Sequence, residues 1–273
     1  MPILGRVLAA ESQLIRKRAA EVTELFCKAH AQAAADGGLI PRLCCLLSPA
    51  ASPAARHSAV EALAVISSTS TALAHAVVAA GALPLLRDLL GDACPLIRRA
   101  AAYALVEIGN SGAEQGRAVV DPGAVPLLRD LLGDACPLIR RAAANALAII
   151  SFSGAGPARA VVDTGAVPLL LGLLADGDAT IRSAAATVLA RISEADPALA
   201  QAVVDAGSIP PLLGLLADGD ATVRAVAVTA LARISNSGPA LADAVANAGA
   251  SPLLWELMTG DDPVVKGLAA EVL

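Results

Sequence analysis

Aromatic residues are almost absent from this chain: its 273 residues include one Trp, one Tyr and two Phe. Apolar residues nevertheless make up 56% of the chain, so its apolar mass consists mainly of Ala, Leu, Val and Ile. A chain with so much apolar surface can bury a core, which excludes disorder. Strands favour aromatic and β-branched residues over Ala. The composition therefore predicts an all-α protein with thin layers of small side chains between closely spaced helices.

The chain also lacks an excess of positive charge. It has 20 Lys and Arg residues against 25 Asp and Glu residues, a net charge of −5, whereas a nucleic-acid-binding protein needs a basic face for the phosphates. The charge is unevenly divided. Residues 1–150 carry 14 basic and 12 acidic residues, and residues 151–273 carry 6 and 13, so their net charges are +2 and −7. Nucleic acid is not an expected partner, and the two parts are expected to prefer different partners.

Catalytic and metal-binding motifs are missing as well. The chain contains no GxSxG, no P-loop, no HExxH and no GxGxxG motif. Its five cysteines form no CxxC pair, and its three histidines are scattered, which predicts reduced thiols in a cytosolic compartment and no zinc site. We therefore expect no catalytic residue, no cofactor, no metal and no small-molecule substrate.

Two pairs of carboxylates stand in identical turns, Asp176/Asp178 and Asp218/Asp220. A calcium site would need more oxygen ligands from one loop. We interpret the pairs as helix caps, with an ion pair between each second Asp and the Arg four residues later, Arg182 or Arg224.

A secretory leader and a membrane span are not expected either. The N-terminal residues contain no long apolar stretch, as a signal peptide would require. Residues 62–86 contain no charged side chain, but a polar run at 67–71, Gly81 and Pro84 interrupt them. We interpret this stretch as short buried helices.

One strong pattern is present, a unit that recurs about every 42 residues. Gly recurs at intervals of 43, 42, 42, 42 and 42 residues, Pro follows each Gly by three residues, and a basic residue recurs every 42 residues. Such self-similarity predicts a stack of similar structural units. The glycines are Gly38, Gly81, Gly123, Gly165, Gly207 and Gly249, and the basic residues are Arg56, Arg98, Arg140, Arg182, Arg224 and Lys266.

Each unit is predicted to hold three helices. In residues 194–235, PALAQAVVDAG begins a short first helix at Pro197 and ends it at Gly207. The second helix begins near Pro210, and Asp220 caps the long third helix ATVRAVAVTALARIS, whose apolar residues are spaced by three and four. We predict one continuous domain, 1–273, with a partial N-terminal repeat at 1–26. The six full units are 27–67, 68–109, 110–151, 152–193, 194–235 and 236–273.

A 42-residue unit of three helices, with Gly before the second helix and Arg opening the third, resembles the armadillo repeat. The resemblance implies a right-handed armadillo-repeat solenoid that acts as a non-enzymatic scaffold for protein–protein interaction. DPALAQAVVDAGSIPPLL (196–213) and GPALADAVANAGASPLL (238–254) also resemble the repeats of armadillo proteins of motile cilia. That resemblance implies a cytoplasmic, axonemal location and axonemal partners, and a short array favours a radial spoke subunit needed for ciliary motility. The alternative is a soluble cytosolic adaptor that binds peptide segments in its concave groove.

In nuclear-import armadillo proteins, a Trp and an Asn four residues apart on each third helix hold a basic peptide. The matching positions here contain no Trp–Asn pair, so a receptor of that kind is not expected. Arg191 and Arg233 are predicted to accept an acidic segment, and Glu107 marks a change of sign earlier in the groove. The alternative, of equal weight, is that these residues are solvated groove side chains without a partner role. The matching positions are Glu61/Val65, Tyr103/Glu107, Asn145/Ile149, Thr187/Arg191 and Thr229/Arg233.

Trp255 occupies a second-helix position that holds Arg87 and Arg129 in other units. It either covers the last repeat or anchors a partner, since Trp is common in both settings. The apolar residues of the last unit lead us to expect that this end docks onto another protein. The candidate partner-binding residues are Tyr103, Glu107, Asn145, Arg191, Arg233 and Trp255.

Overall fold

The computed structural model describes residues 26–27, 30–112, 123–259 and 263–272. Within these residues the chain is helical and contains no strand. The predicted partial repeat at 1–26 lies outside them, apart from Phe26, and so does most of the first helix expected in unit 110–151.

Residues 30–36 are helical, and sixteen further helices follow in the described part of the chain. In chain order they are α1 Leu39–Leu46, α2 Pro53–Thr69, α3 Thr71–Ala79, α4 Ala82–Leu89, α5 Pro95–Asn110, α6 Ala124–Leu131, α7 Pro137–Phe152, α8 Ala155–Asp163, α9 Ala166–Leu173, α10 Ala179–Ala195, α11 Pro197–Asp205, α12 Ile209–Gly214, α13 Ala221–Asn236, α14 Pro239–Asn247, α15 Ala250–Thr259 and α16 Pro263–Val272. A 3₁₀ turn, Leu215–Ala217, extends α12.

The helices repeat as short, short and long, as the sequence predicts. The third helices are α2, α5, α7, α10, α13 and α16, of which the first five have 16 or 17 residues and α16 has 10. The predicted start at Pro197 and cap at Asp220 are confirmed: α11 begins at Pro197, and the Asp220 carboxylate accepts hydrogen bonds from the amides of Thr222 and Val223. The second helix of this unit begins at Ile209, one residue before the predicted Pro210.

A left-handed glycine joins the first and second helices of a unit. Gly207 has φ of 85°, and its amide donates to the carbonyl of Val204 at 2.8 Å. Gly81, Gly165 and Gly249 stand at the equivalent places with φ of 77°, 77° and 89°. The predicted left-handed cap is confirmed, because side-chain-bearing residues adopt this conformation only at a cost.

The chain divides into two compact units, Met1–Leu131 and Leu132–Leu273. In the first unit, α2 packs against α5; in the second, α7, α10, α13 and α16 pack each against the next. Alanines such as Ala143 and Ala185 are fully buried on these long helices, so the helices approach closely with little side-chain volume between them. The single continuous domain of the sequence analysis stays a prediction.

No single helix in the described ranges is long and apolar enough to cross a membrane. In two repeats, the first helix and the second helix that follows it pass this test only when they are taken together. The bend between the two helices is 82° in one repeat and 84° in the other.

Candidate partner-binding surface

The recurring arginine at the start of the third helix points in two directions. Arg182 Nη1 donates to the carbonyls of Asp176 and Gly177 in its own loop, at 2.8 and 3.3 Å. Its Nε and Nη2 donate to the two carboxylate oxygens of Asp218, in the next repeat, at 2.7 and 2.9 Å. The expected pairing with Asp178, four residues earlier, is wrong. Asp178 instead caps α10 by accepting from the amide and hydroxyl of Thr180.

Equivalent pairs between neighbouring repeats join Arg56 to Asp92 at 2.9 Å and Arg140 to Asp176 at 2.7 Å. The guanidinium of Arg182 lowers the pKa of the Asp218 carboxyl below its ordinary value, chiefly through their hydrogen bonds. These arginines therefore connect successive repeats, and their donors are directed into the stack.

A second arginine follows the recurring one at Arg98-Arg99. Arg99 Nη2 lies 3.6 Å from Glu61 Oε1. Arg99 is therefore paired within the first unit.

The first unit presents an acidic stretch on its third helices. Tyr103 on α5 is 48% exposed, and a hydrogen bond to Glu107 raises the pKa of its hydroxyl, with burial and the charges of Glu107 and Glu61 adding to the effect. Glu61 on α2 lies 3.7 Å from the imidazole of His57 as well as near Arg99. Tyr103 and Glu107, both predicted site residues, thus lie together and form an acceptor-rich surface beside an aromatic ring.

The second unit presents a different surface at the equivalent positions. Asn145 on α7 is exposed. The hydroxyls of Thr187 and Thr229 donate to carbonyls in their own helices, at 2.8 and 2.9 Å. Four residues after these threonines, Arg191 on α10 and Arg233 on α13 carry the positive charge.

Arg191 and Arg233 converge on one acidic side chain, Glu194. Arg191 Nη1 lies 3.0 Å from Glu194 Oε2, and Arg233 Nη2 lies 3.4 Å from Glu194 Oε1. On its other side, the Arg191 guanidinium carbon lies 4.5 Å from the centre of the Phe152 ring. The structure thus brings the two predicted arginines together and adds two residues that the sequence reasoning missed. The two missed residues are Phe152 and Glu194. They occupy the same position of successive repeats, 42 residues apart, and follow Ile149 and Arg191 by three residues.

Trp255 lies on α15 and is 59% exposed. Leu254, the residue before it, is almost fully buried, and so are Val265 and Ala269 on α16. The buried face of the last repeat is therefore formed by these aliphatic residues, and more than half of the Trp255 side chain stays accessible.

No group of three or more His, Cys, Asp or Glu side chains in the described ranges could hold a metal ion. The carboxylate pairs serve the turns: Asp218 Oδ1 accepts from the amide of Asp220 at 2.9 Å, and Asp220 caps α13. Their predicted capping role is confirmed.

Three family models match parts of the chain. The model of HEAT repeats matches residues 40–116, the model of the armadillo/beta-catenin-like repeat matches residues 113–152, and the model of non-SMC mitotic condensation complex subunit 1 matches residues 145–259. No curated protein sequence matches the chain.

Several solved structures are similar over most of the chain. An engineered protein is 30% identical, with a TM-score of 0.94, over 99% of this chain and 66% of its own length. A designed armadillo repeat protein is 28% identical, with a TM-score of 0.81, over 86% of this chain and 98% of its own. Another designed armadillo repeat protein, in complex with a (KR)4 peptide, is 27% identical with a TM-score of 0.81, over 85% and 97%.

The chain is similar to armadillo and HEAT repeat proteins, in parts of its sequence and in its fold. The predicted all-α armadillo-repeat fold is confirmed. This fold is typically a non-enzymatic scaffold that binds proteins or peptides.

Proposed function

We propose that this protein is a non-enzymatic scaffold that binds extended partner segments through side chains of its third helices. The positions concerned, which we call the third-helix row, hold Glu61, Tyr103 and Glu107 in the first unit and Asn145, Arg191 and Arg233 in the second. The observation that carries the proposal is the variation of this row. Glu61 and Glu107 make it acidic in the first unit, and Arg191 and Arg233 make it basic in the second. The glycine turns and the inter-repeat ion pairs, by contrast, recur from repeat to repeat. Residues that only stack repeats have no reason to vary in charge, whereas recognition of a partner requires it.

The peptide-bound designed armadillo protein supports this proposal, because a related fold there is in complex with a charged peptide, (KR)4. The acidic stretch around Tyr103 fits basic side chains of a partner by charge, and Arg191 and Arg233 fit acidic ones. Asn145 adds exposed amide donors and acceptors, and Trp255 adds an exposed aromatic anchor.

We further propose that the partners are subunits of the motile-cilium axoneme, and that the chain is a radial spoke component needed for ciliary motility. Support comes from α11 and α14 with their following turns, whose sequences resemble the armadillo repeats of ciliary proteins. The proposed location is cytoplasmic, in the axoneme, which is the cytoskeleton of the cilium. The proposed partners are proteins, and no nucleic acid, membrane or small-molecule ligand is proposed.

The alternative is a soluble cytosolic adaptor that binds peptides in the same row. The peptide-bound designed armadillo protein favours it, because peptide binding by this fold does not require a large assembly.

The decisive experiment uses ciliated cells that express the tagged full chain. We expect the protein to remain in axonemes after detergent and salt extraction, and the double variant Arg191→Glu/Arg233→Glu to be lost from them. The matched control is Arg42→Glu/Arg159→Glu, which reverses two exposed charges on first and second helices. Full extraction of the wild type into the soluble fraction would favour the adaptor. Equal retention of both double variants would exclude the arginine surface as the contact.

A further inference from the structure

Four side chains at the ends of three successive third helices form one surface cluster. Phe152 closes α7, Arg191 and Glu194 lie on α10, and Arg233 lies on α13. Glu194 holds one guanidinium on each carboxylate oxygen, at 3.0 and 3.4 Å, and Phe152 stacks on Arg191 at 4.5 Å. We call these four residues the arginine–glutamate cluster.

This cluster contributes little to the stability of the fold. The side chains of Arg191, Arg233 and Glu194 are 38%, 43% and 35% exposed, and ion pairs at such positions are screened by solvent. Phe152 is 66% exposed, so its ring leaves most of its apolar surface in water. The other repeats place polar residues at this position, Asn110, Glu194 and Asn236. A solvent-facing Phe at one repeat is therefore a departure from the pattern that stacking alone does not require.

The cluster is organised for recognition. Stacking on Phe152 restricts the Arg191 guanidinium, so less rotational freedom is lost when a ligand binds it. With two arginines and one glutamate, the cluster carries a net charge of +1 and attracts an anion. Phe152 next to that charge offers an apolar surface for the neighbouring side chain of the same ligand.

We propose that the arginine–glutamate cluster binds a partner segment in which an acidic residue stands next to an aromatic residue. The acidic side chain takes the place of the Glu194 carboxylate between the two guanidinium groups, and the aromatic side chain packs on Phe152. Glu194 is an internal competitor that occupies the arginines until such a segment arrives. This inference rests on the proposed function of the third-helix row, and it names the class of partner for the second unit.

The role of Glu194 gives the inference an unusual signature, since removal of a side chain strengthens binding. The partner must displace two ion pairs that are partly exposed to solvent and therefore weak. Glu194→Gln should therefore increase the affinity by about three- to tenfold. Arg233→Gln and Arg191→Gln should each reduce it, and Phe152→Ala should reduce it only for a ligand that carries the aromatic side chain.

The test measures fluorescence anisotropy of the purified full chain with a short labelled peptide that contains Glu-Phe-Glu between Ser and Gly residues. Comparison peptides replace Glu by Gln, replace Phe by Ala, or carry Lys-Arg repeats. Arg159→Gln is the matched control, because it removes an exposed positive charge from α8, outside the cluster. Far-UV circular dichroism of each variant confirms that its fold is unchanged.

The expected result is tighter binding of the Glu-Phe-Glu peptide to Glu194→Gln, weaker binding to Arg191→Gln and Arg233→Gln, and no change with Arg159→Gln. Unchanged or weaker binding to Glu194→Gln would overturn the inference. Binding of the Lys-Arg peptide without binding of the Glu-Phe-Glu peptide would also overturn it, while the row would remain a peptide-binding surface. Failure of every peptide would overturn the inference. If axonemal retention of Arg191→Glu/Arg233→Glu were also unaltered, the proposed arginine contact would be overturned with it.

Discussion

Arg182 performs two structural tasks with one guanidinium group. Its Nη1 holds the loop before α10 by bonding two carbonyl oxygens, and its remaining donors bind both oxygens of Asp218 in the next repeat. A positive charge in the first turn of a helix is opposed by the helix dipole. The carboxylate of Asp218 offsets that repulsion. Arg56 and Arg140, at the equivalent positions of other repeats, are likewise paired with the carboxylates of Asp92 and Asp176.

We predict that Asp218→Asn lowers the free energy of unfolding by about 1 kcal/mol at neutral pH. Asn can still accept the amide of Asp220, so the variant removes the charge while the turn keeps its acceptor. Because Arg182 lowers the pKa of Asp218 in the folded chain, the stabilisation is fully present above the ordinary aspartate pKa of about 4 and is lost as the pH falls through the lowered value.

Urea unfolding of wild type and variant at several pH values checks this prediction. The difference in the free energy of unfolding between wild type and Asp218→Asn should be constant near neutral pH and should disappear in acid. Asp243→Asn, an exposed carboxylate on α14, is the control and should have little effect. If the difference in the free energy of unfolding were equal above and below about pH 4, the ion pair would not be the cause of that difference.

The sequence predicts that Arg182 recurs for a structural reason, but it misidentifies the partner. Spacing within one helix suggests Asp178, because residues four apart share a helix face. The actual partner, Asp218, lies 36 residues away and meets Arg182 only when repeats stack. Phe152 was missed for the same reason, since its contact with Arg191 depends on the packing of α7 against α10. Glu194 lies three residues after Arg191 on α10, and only its contact with Arg233 depends on the packing of α10 against α13.

At the scale of helices, the turn between α11 and α12 depends on backbone conformation. Gly207 has φ of 85°, and an added Cβ would have no atom within 4 Å. A substitution there therefore costs only the strain of the left-handed backbone and meets no steric clash. Gly172 offers the opposite case: it lies within α9 at an ordinary φ, and its added Cβ would also meet nothing within 4 Å.

We predict that Gly207→Ala destabilises the chain by about 1 kcal/mol and that Gly172→Ala stabilises it by up to about 1 kcal/mol. Urea unfolding followed by circular dichroism measures both variants against wild type. The two substitutions add the same methyl group at exposed positions, so only the backbone conformation distinguishes them. Equal effects of the same sign would contradict the assignment of Gly207 as a required left-handed residue.

Helix order and turn chemistry are the features that sequence predicts best in this protein. Pro at the start of α11, Gly207 at its end and Asp220 before α13 each act locally, so their roles follow from a few neighbouring residues. The second helix begins one residue earlier than predicted, at Ile209, and it finishes as a 3₁₀ turn. Apolar spacing does not specify such details at helix ends.

For the chain as a whole, the overall charge opposes the ligand proposed for the arginine–glutamate cluster. Residues 151–273 have a net charge of −7, yet this part of the chain contains Arg191 and Arg233. An acidic segment is therefore repelled at long range by the total charge and attracted at short range by two arginines. The two effects act on different steps, since long-range charge governs association and close contacts govern dissociation.

We predict that the association rate of the Glu-Phe-Glu peptide rises as salt is added up to about 0.15 M, where charges are screened beyond about 8 Å. Its dissociation rate should rise as well, because salt also weakens the contact with Arg191 and Arg233. A Lys-Arg peptide should show the opposite trend in association, since the net charge of −5 attracts it. Stopped-flow anisotropy separates the two rates for each peptide. An association rate that falls with salt for the acidic peptide would show that the local arginines, and not the charge of the whole chain, control its approach.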